Sequence, residues 1–384
     1  VIAGTAYKLT VTTQAVARET GQQLTTSPSI ALLDKWNNPV TNHAPLTVVM
    51  GVTPSTGPNA GEVIVKDALG VVVPNGNQIT FTNGVANYER VTLIGKPGTS
   101  YSFTFDVQAP SAVIGTATAP LQVSAGAPAR IAVTTQVVGG ITGKALTTAP
   151  VITVYDGYDN IVSNAGNICI TVAGKTSATE IRSGSDSRIA CDEKLDSNNQ
   201  PVRDGRIEFS NDSSAGLKPF GSPDAVHKFA FTATVPAVVA DPSAVPPVPA
   251  RNSYILEIDS NDFNLTNDSA TSFELTTQPV PGRTGEALVT HPVLKIVDQN
   301  GFLVKNDNTT EIELASTTHS GSGTSTVGGN LSAVAVAGIV TFRGVEFTGT
   351  PGTENKYKLV FTATGLTNVL SNEFSVTPGT PAKL

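Results

Sequence analysis

Four histidines, two cysteines and a thin scatter of carboxylates are the chemically versatile side chains of this 384-residue chain. His43, His227, His291 and His319 fall at different phases of an internal repeat described below. A recurring metal or catalytic site would recur in phase, so these read as ordinary surface or edge histidines. The densest carboxylate group is Asp186, Asp192, Glu193 and Asp196, beside Cys191. Asp156, Asp159 and Asn160 form a second oxygen-rich turn. Ca²⁺ takes its ligands from such loops, and a solvated turn is the competing reading for both. No other cofactor is expected.

Cys169 and Cys191 are the sole cysteines. A disulfide between them fits a secreted protein; buried free thiols would fit a cytosolic one. Without a second cysteine pair or clustered histidines, a zinc site is not expected. No G-x-S-x-G nucleophile motif occurs on a strand-to-helix turn. Gly321-Ser-Gly-Thr and Val327-Gly-Gly lack the following helix that phosphate binding requires. No enzyme activity is therefore expected. Asn211, Asn264, Asn267, Asn308 and Asn330 begin Asn-x-Ser/Thr sequons, which accept glycans only in a secreted protein with that machinery.

The elements that would position these residues are repeated. Thr12–Val40, Thr134–Val162 and Thr276–Val304 match at fixed offsets. The shared positions are Gln14, Gln136 and Gln278; then Gly21, Gly143 and Gly285; then Leu24, Leu146 and Leu288. Pro28, Pro150 and Pro292 follow, and Asp34, Asp156 and Asp298 close each copy. Repeats of roughly 120 to 140 residues are each long enough to enclose a core.

Within each copy, Ser29–Leu33, Val151–Tyr155 and Val293–Val297 alternate apolar and tolerant positions, the pattern of a half-buried strand. The Asp then begins an Asn/Asp/Gly turn, as strand ends require. Further strands are expected at Leu46–Val52, Ile168–Ala173 and Glu311–Ala315, and last strands at Ala117–Val123 and Asn372–Val376. Tyr101 and Tyr357 each begin a strand after a Pro-Gly turn; each reads as a tyrosine corner or as a half-buried strand tyrosine. The pattern predicts an all-β chain of three tandem β-sandwiches arranged as an elongated rod. Their ranges are 1–125, 126–268 and 269–378. The second carries a Pro-rich insertion at about 236–250, expected as a loop or edge hairpin because proline lacks the ladder donor. Residues 379–384, GTPAKL, restart the pattern of GTAYKL and GAPARI, as a further repeat or a linking tail.

Composition narrows the partners. The net charge is −7, only 14% of residues are charged, and basic residues are not clustered. This disfavours nucleic acid and anionic membranes. No apolar run approaches the ~20 residues needed to span a bilayer.

The strand-and-turn unit resembles the bacterial Ig-like repeats of large cell-surface proteins, of the invasin/intimin-like class. The closest match to their turn is Asp34-Lys-Trp-Asn-Asn-Pro-Val40; Asp298-Gln-Asn-Gly swaps the Gly–Asn order, and Asp156 lacks the glycine at that place. The resemblance covers nearly all of units one and three and the first half of unit two. It implies an extracellular, repetitive surface architecture and does not choose among functions; the expected one is a structural subunit or segment of an S-layer or filament, self-associating with neighbouring subunits or further repeats. Alternatives are an adhesin stalk recognising a host surface protein or glycan, and spacer domains of an extracellular enzyme.

Overall fold

Alternating burial is what folds each unit. Ile30 and Leu32, Ile152 and Val154, and Leu294 and Ile296 are all fully buried, while the positions between them are not uniformly so. A strand with this pattern must cover an apolar face, and a second sheet supplies the cover. The computed structural model describes residues 3–108, 112–163, 168–176, 179–182, 188–195, 201–239 and 250–381. Among them strands dominate, no α-helix occurs, and no helix is long and apolar enough to cross a membrane.

Each unit repeats one plan. In the first, Ser29–Leu33 lies between Lys8–Thr13 and Val85–Asn87, antiparallel to both. The facing sheet orders Gln78–Thr80, Thr47–Thr53, Ser102–Val107 and Thr116–Ala117. In the second, Val151–Asp156 lies between Pro128–Thr135 and Arg206–Glu208. Its partner sheet orders Ile189–Cys191, Cys169–Gly174, Phe229–Val235 and Tyr254–Asp259. In the third, Val293–Asp298 lies between Ala270–Thr277 and Ile339–Thr341. Ser332–Val334, Glu311–Ser320, Lys356–Thr362 and Val369–Leu370 face it.

Register repeats with topology. Leu9 pairs with Leu32, Ile131 with Val154, and Phe273 with Ile296. A bulge follows at Val11/Thr13, Val133/Thr135 and Leu275/Thr277. The chain is thus three β-sandwiches, antiparallel in their main sheets, with three separate cores, centred on Phe103 and Phe105, on Phe229 and Phe231, and on Tyr357 and Phe361. Ala125 packs into the second core.

The last strands are shorter than the sequence predicts. Strand pairing stops at Ala117 and Leu370, leaving only single bridges, Tyr101 to Leu121 and Tyr357 to Phe374. A hydroxyl breaks each ladder: Thr118 Oγ1 and Ser371 Oγ accept the N–H groups of Phe103 and Leu359. Ser260 Oγ does the same for Phe229 in the second unit. A motif glutamine then holds the strand beyond. Gln14, Gln136 and Gln278 Oε1 accept from the N–H groups of Ala119, Asn261 and Asn372.

The second unit's proline-rich excursion extends the hairpin between Phe229–Val235 and Tyr254–Asp259. Val238 and Arg251 exchange two backbone hydrogen bonds at its base, 2.8 and 2.9 Å. Residues 240–249 lie outside the described residues, as do 382–384 of the tail.

Separate cores predict separable unfolding. Trp36 is the single tryptophan and lies in the first unit. Leu32→Ala should destabilise that unit by about 2–5 kcal/mol through lost contacts and a cavity. The midpoint of the Trp36 fluorescence transition in denaturant should fall accordingly. Ile152→Ala should leave that midpoint in place while lowering a second transition seen by circular dichroism.

Candidate functional site

The Asp that closes each motif is buried, and its carboxylate faces N–H donors on two sides. Asp34 Oδ1 accepts from the N–H groups of Trp36 and Asn38, both at 2.9 Å. Its Oδ2 accepts from the Gly4 N–H and from Asn38 Nδ2, both at 3.0 Å. Asp156 repeats the set: Tyr158 and Asn160 N–H on one oxygen, Gly126 N–H and Asn160 Nδ2 on the other. Asp298 takes Asn300 and Phe302 N–H on Oδ1 and Asp268 N–H on Oδ2. Each carboxylate therefore ties the turn it begins to the segment that leads into its own unit's first strand.

Burial pushes the Asp34 carboxyl up, but the donors from Gly4, Asn38 and Trp36 outweigh it and hold the pKa at about 2. Charge-assisted acceptance of this kind favours the ionised form.

The turn then meets the unit before it. Thr20, Thr142 and Thr284 hold a second repeated structure, a socket. Their hydroxyls accept the N–H groups of Gly95, Gly221 and Gly349 at 2.9, 3.2 and 3.0 Å. Gly21, Gly143 and Gly285 follow them, all with φ between +75° and +79°, a conformation glycine adopts without strain.

At the first junction, Tyr158 stands over Gly21: a β-carbon built on Gly21 would lie 2.2 Å from its ring. Asn160 Nδ2 donates to the Gly95 carbonyl at 3.4 Å. At the second, Asn300 stands over Gly143, 3.6 Å from the corresponding point, and donates to the Thr142 carbonyl at 3.5 Å. Phe302 packs on Phe220 with ring centroids 5.5 Å apart. Lys305–Asp224 adds an ion pair across it at 2.6 Å, and Lys144 pairs with Asp268, the linking residue bound to Asp298, at 3.0 Å.

The residues singled out in the sequence are distributed by this scaffold. Asp156 and Asn160, candidate Ca²⁺ ligands against the reading of a solvated turn, are joined to each other and to backbone donors. Asp159 points to Arg130 at 2.8 Å. Of the second carboxylate group, Asp192 is buried and accepts from Gly205 and Asp204 N–H; burial raises its pKa against those bonds. Asp186 and Asp196 lie outside the described residues. No group of three or more His, Cys, Asp or Glu poised for a metal occurs among the described residues.

Cys169 and Cys191 form a disulfide, placed directly opposite each other on neighbouring antiparallel strands. Asn211, Asn264, Asn308 and Asn330 are exposed and Asn267 is half-buried. Asn308 and Asn330 already use their side chains on backbone groups of Ala337 and Arg343.

His227 departs from the surface role expected of it. It is fully buried, at the position where Tyr101 and Tyr357 stand in the other units. Tyr101 donates to Asn59 O and accepts from Lys96 N–H, and Tyr357 donates to Thr350 O. The tyrosine-corner reading thus holds for both. His227 Nε2 donates to Ser222 O at 2.9 Å, and Nδ1 lies 3.0 Å from Thr179 Oγ1. A carbonyl only accepts, so this network assigns the proton to Nε2. Aligning His227-Lys-Phe-Ala-Phe with Tyr101-Ser-Phe-Thr-Phe exposes the equivalence.

The strand pairing and the two facing sheets define a chain of Ig-like β-sandwiches. No protein-family model matches it, and no curated protein sequence matches it. Among solved structures, the Escherichia coli adhesin FdeC aligns over 97% of this chain and 99% of its own, at 12% identity and a TM-score of 0.33. Extracellular domains 3–5 of Drosophila OTK align over 99% of this chain and 100% of theirs, at 6% identity and a TM-score of 0.20. A Parabacteroides merdae β-glucuronidase aligns over 65% of this chain and 25% of its own, at 11% identity and a TM-score of 0.19.

Two outcomes follow. A carboxylate at about 2 in the folded state and near 3.9 unfolded stabilises the fold above pH ~4. That contribution is lost as pH falls through about 2, so the first unit should weaken over pH 4 to 2, followed by Trp36 emission. Asp34→Asn should remove most of this pH dependence and lower the melting temperature at neutral pH. Separately, reducing the Cys169–Cys191 disulfide should cost the second unit about 3 kcal/mol, given the loop it closes. Calorimetry with and without reductant measures this; Ca²⁺ added to the same sample tests the Asp156, Asp159 and Asn160 turn by any rise in melting temperature.

Proposed function

We propose that this chain is a non-enzymatic structural segment of an extracellular surface assembly, an S-layer or filament. Units 1–125, 126–268 and 269–378 act in series, and 379–384 begin a further repeat or link to a neighbour. The observation that carries this is the junction. The same turn, held by the same buried Asp, is set twice onto the same glycine socket of the preceding unit. A device that fixes each unit on the last transmits position and load along the chain. A cross-strand disulfide in the unit with the longest excursion supports an oxidising, extracellular setting.

A second reading is an adhesin stalk that touches a host protein or glycan through the 236–250 excursion. It is favoured by the excursion's paired base at Val238 and Arg251 and by the exposure of Val239 there. Deleting 240–249 separates the readings: lost attachment with unchanged assembly supports adhesion.

The structural reading requires stiff junctions. Small-angle scattering of the full chain should give a narrow distance distribution that broadens in a Tyr158→Ala, Phe302→Ala double variant. A wild-type chain as broad as the variant would sink the reading.

A further inference from the structure

The corner side chain and the socket belong to one device in every unit. Tyr101 accepts the N–H of Lys96, the residue after Gly95. His227 Nε2 donates to the carbonyl of Ser222, the residue after Gly221. Tyr357 donates to the carbonyl of Thr350, the residue after Gly349. Gly95, Gly221 and Gly349 are the glycines whose N–H groups the socket threonines hold. The corner side chain thus braces the socket loop from inside. In the second unit the same loop meets the third unit from outside, through Phe220 on Phe302 and Asp224 on Lys305.

The three braces differ in one chemical property. A phenol keeps its proton to about pH 10. An imidazole changes charge between about pH 5 and pH 8. His227 has both nitrogens in use while neutral: Nε2–H bonds Ser222 O, and Nδ1 accepts from Thr179 Oγ1 at 3.0 Å. A protonated Nδ1 is a donor, so the Thr179 hydrogen must turn away, towards Thr176 Oγ1 at 2.7 Å. The added charge then sits in a fully buried ring beside Phe263, with centroids 5.8 Å apart. Among the described residues no carboxylate bonds that ring. The charged side chains on the elements packed around it are Lys175, Glu180, Asp224, Lys228 and Asp262. Each reaches a surface partner instead: Asp259, Arg182 and Lys305 for the first three, and each other for the last two. A buried charge without a partner is costly, and opening the loop returns the ring to water.

We propose that His227 makes the second junction acid-labile. A proton taken from solvent onto Nδ1 releases the Ser222 loop and, with it, the seat of the third unit. The first junction keeps its tyrosine brace and stays closed. The opened loop binds one proton more than the closed one, so closure weakens as pH falls. This rests on the reading of the junctions as the devices that fix each unit on the last.

The test uses the full chain. Hydrogen exchange read by mass spectrometry, corrected for the intrinsic rate, compares residues 219–224 with residues 93–97 at about pH 7.5 and about pH 5. Protection of 219–224 should fall about tenfold at the lower pH, while that of 93–97 holds. His227→Tyr restores the corner residue of the other units, and His227→Gln supplies an uncharged donor; each should abolish the pH effect. Wild-type protection unchanged at the lower pH overturns the proposal. So does a loss that persists in a variant folded by circular dichroism, which places the sensor elsewhere. A histidine-labelled chain covers misfolding of both variants. Gln substitutions at His43, His291 and His319 assign the His227 ring signal by elimination, and loss of protection must track its protonation or the proposal fails. A chain already loose in scattering at neutral pH would instead sink the stiffness reading, so the two failures are distinct.

Discussion

One carboxylate, buried and facing backbone N–H groups from two directions, underlies each unit. It cannot be satisfied by the turn alone. Asp34, Asp156 and Asp298 each accept turn N–H groups on one oxygen and, on the other, an N–H from the segment leading into the unit's first strand. A buried charge without those donors would be costly. The opening segment and the turn therefore stay in fixed register, and the side chain two residues after the Asp is aimed outward from a rigid base.

That rigidity gives the junctions their form. A turn held only by solvent could not place Tyr158 against a glycine whose own β-carbon would collide with it. The socket is equally constrained: a threonine hydroxyl holds one glycine N–H while the adjoining glycine adopts positive φ. The chemistry across the contact varies, an aromatic ring at one junction and an amide with a ring pair and an ion pair at the other. The backbone geometry beneath does not. Sequence can drift on such a surface while the seating is kept.

Much of this was legible in the sequence. Period-two alternation located the central strands, and the phase of Gln14, Gly21, Leu24, Pro28 and Asp34 gave three units. Physics explains each: a strand clamp, a positive-φ turn, a core leucine, a buried turn proline and a carboxylate hub. The Asp's reach to Gly4, Gly126 and Asp268 was not legible, because a backbone N–H leaves no mark in residue type. His227 was hidden by its own identity: phase marks it as the corner tyrosine's substitute, while a lone histidine suggests surface. The short last strands were missed because Thr118 and Ser371 look like ordinary strand residues until their hydroxyls are seen to take a ladder donor. Two glycines can be read as turns, but not as the floor of a contact with another unit.

The broken last strand has a consequence of its own. In the first and third units it is two residues long before a hydroxyl interrupts the ladder. An unbroken edge strand is a template for another molecule's strand and a common start of aggregation. Here the template is cut short after two residues. In those two units the edge therefore offers an incoming strand only two paired residues, whereas the second unit keeps a six-residue edge at Tyr254–Asp259.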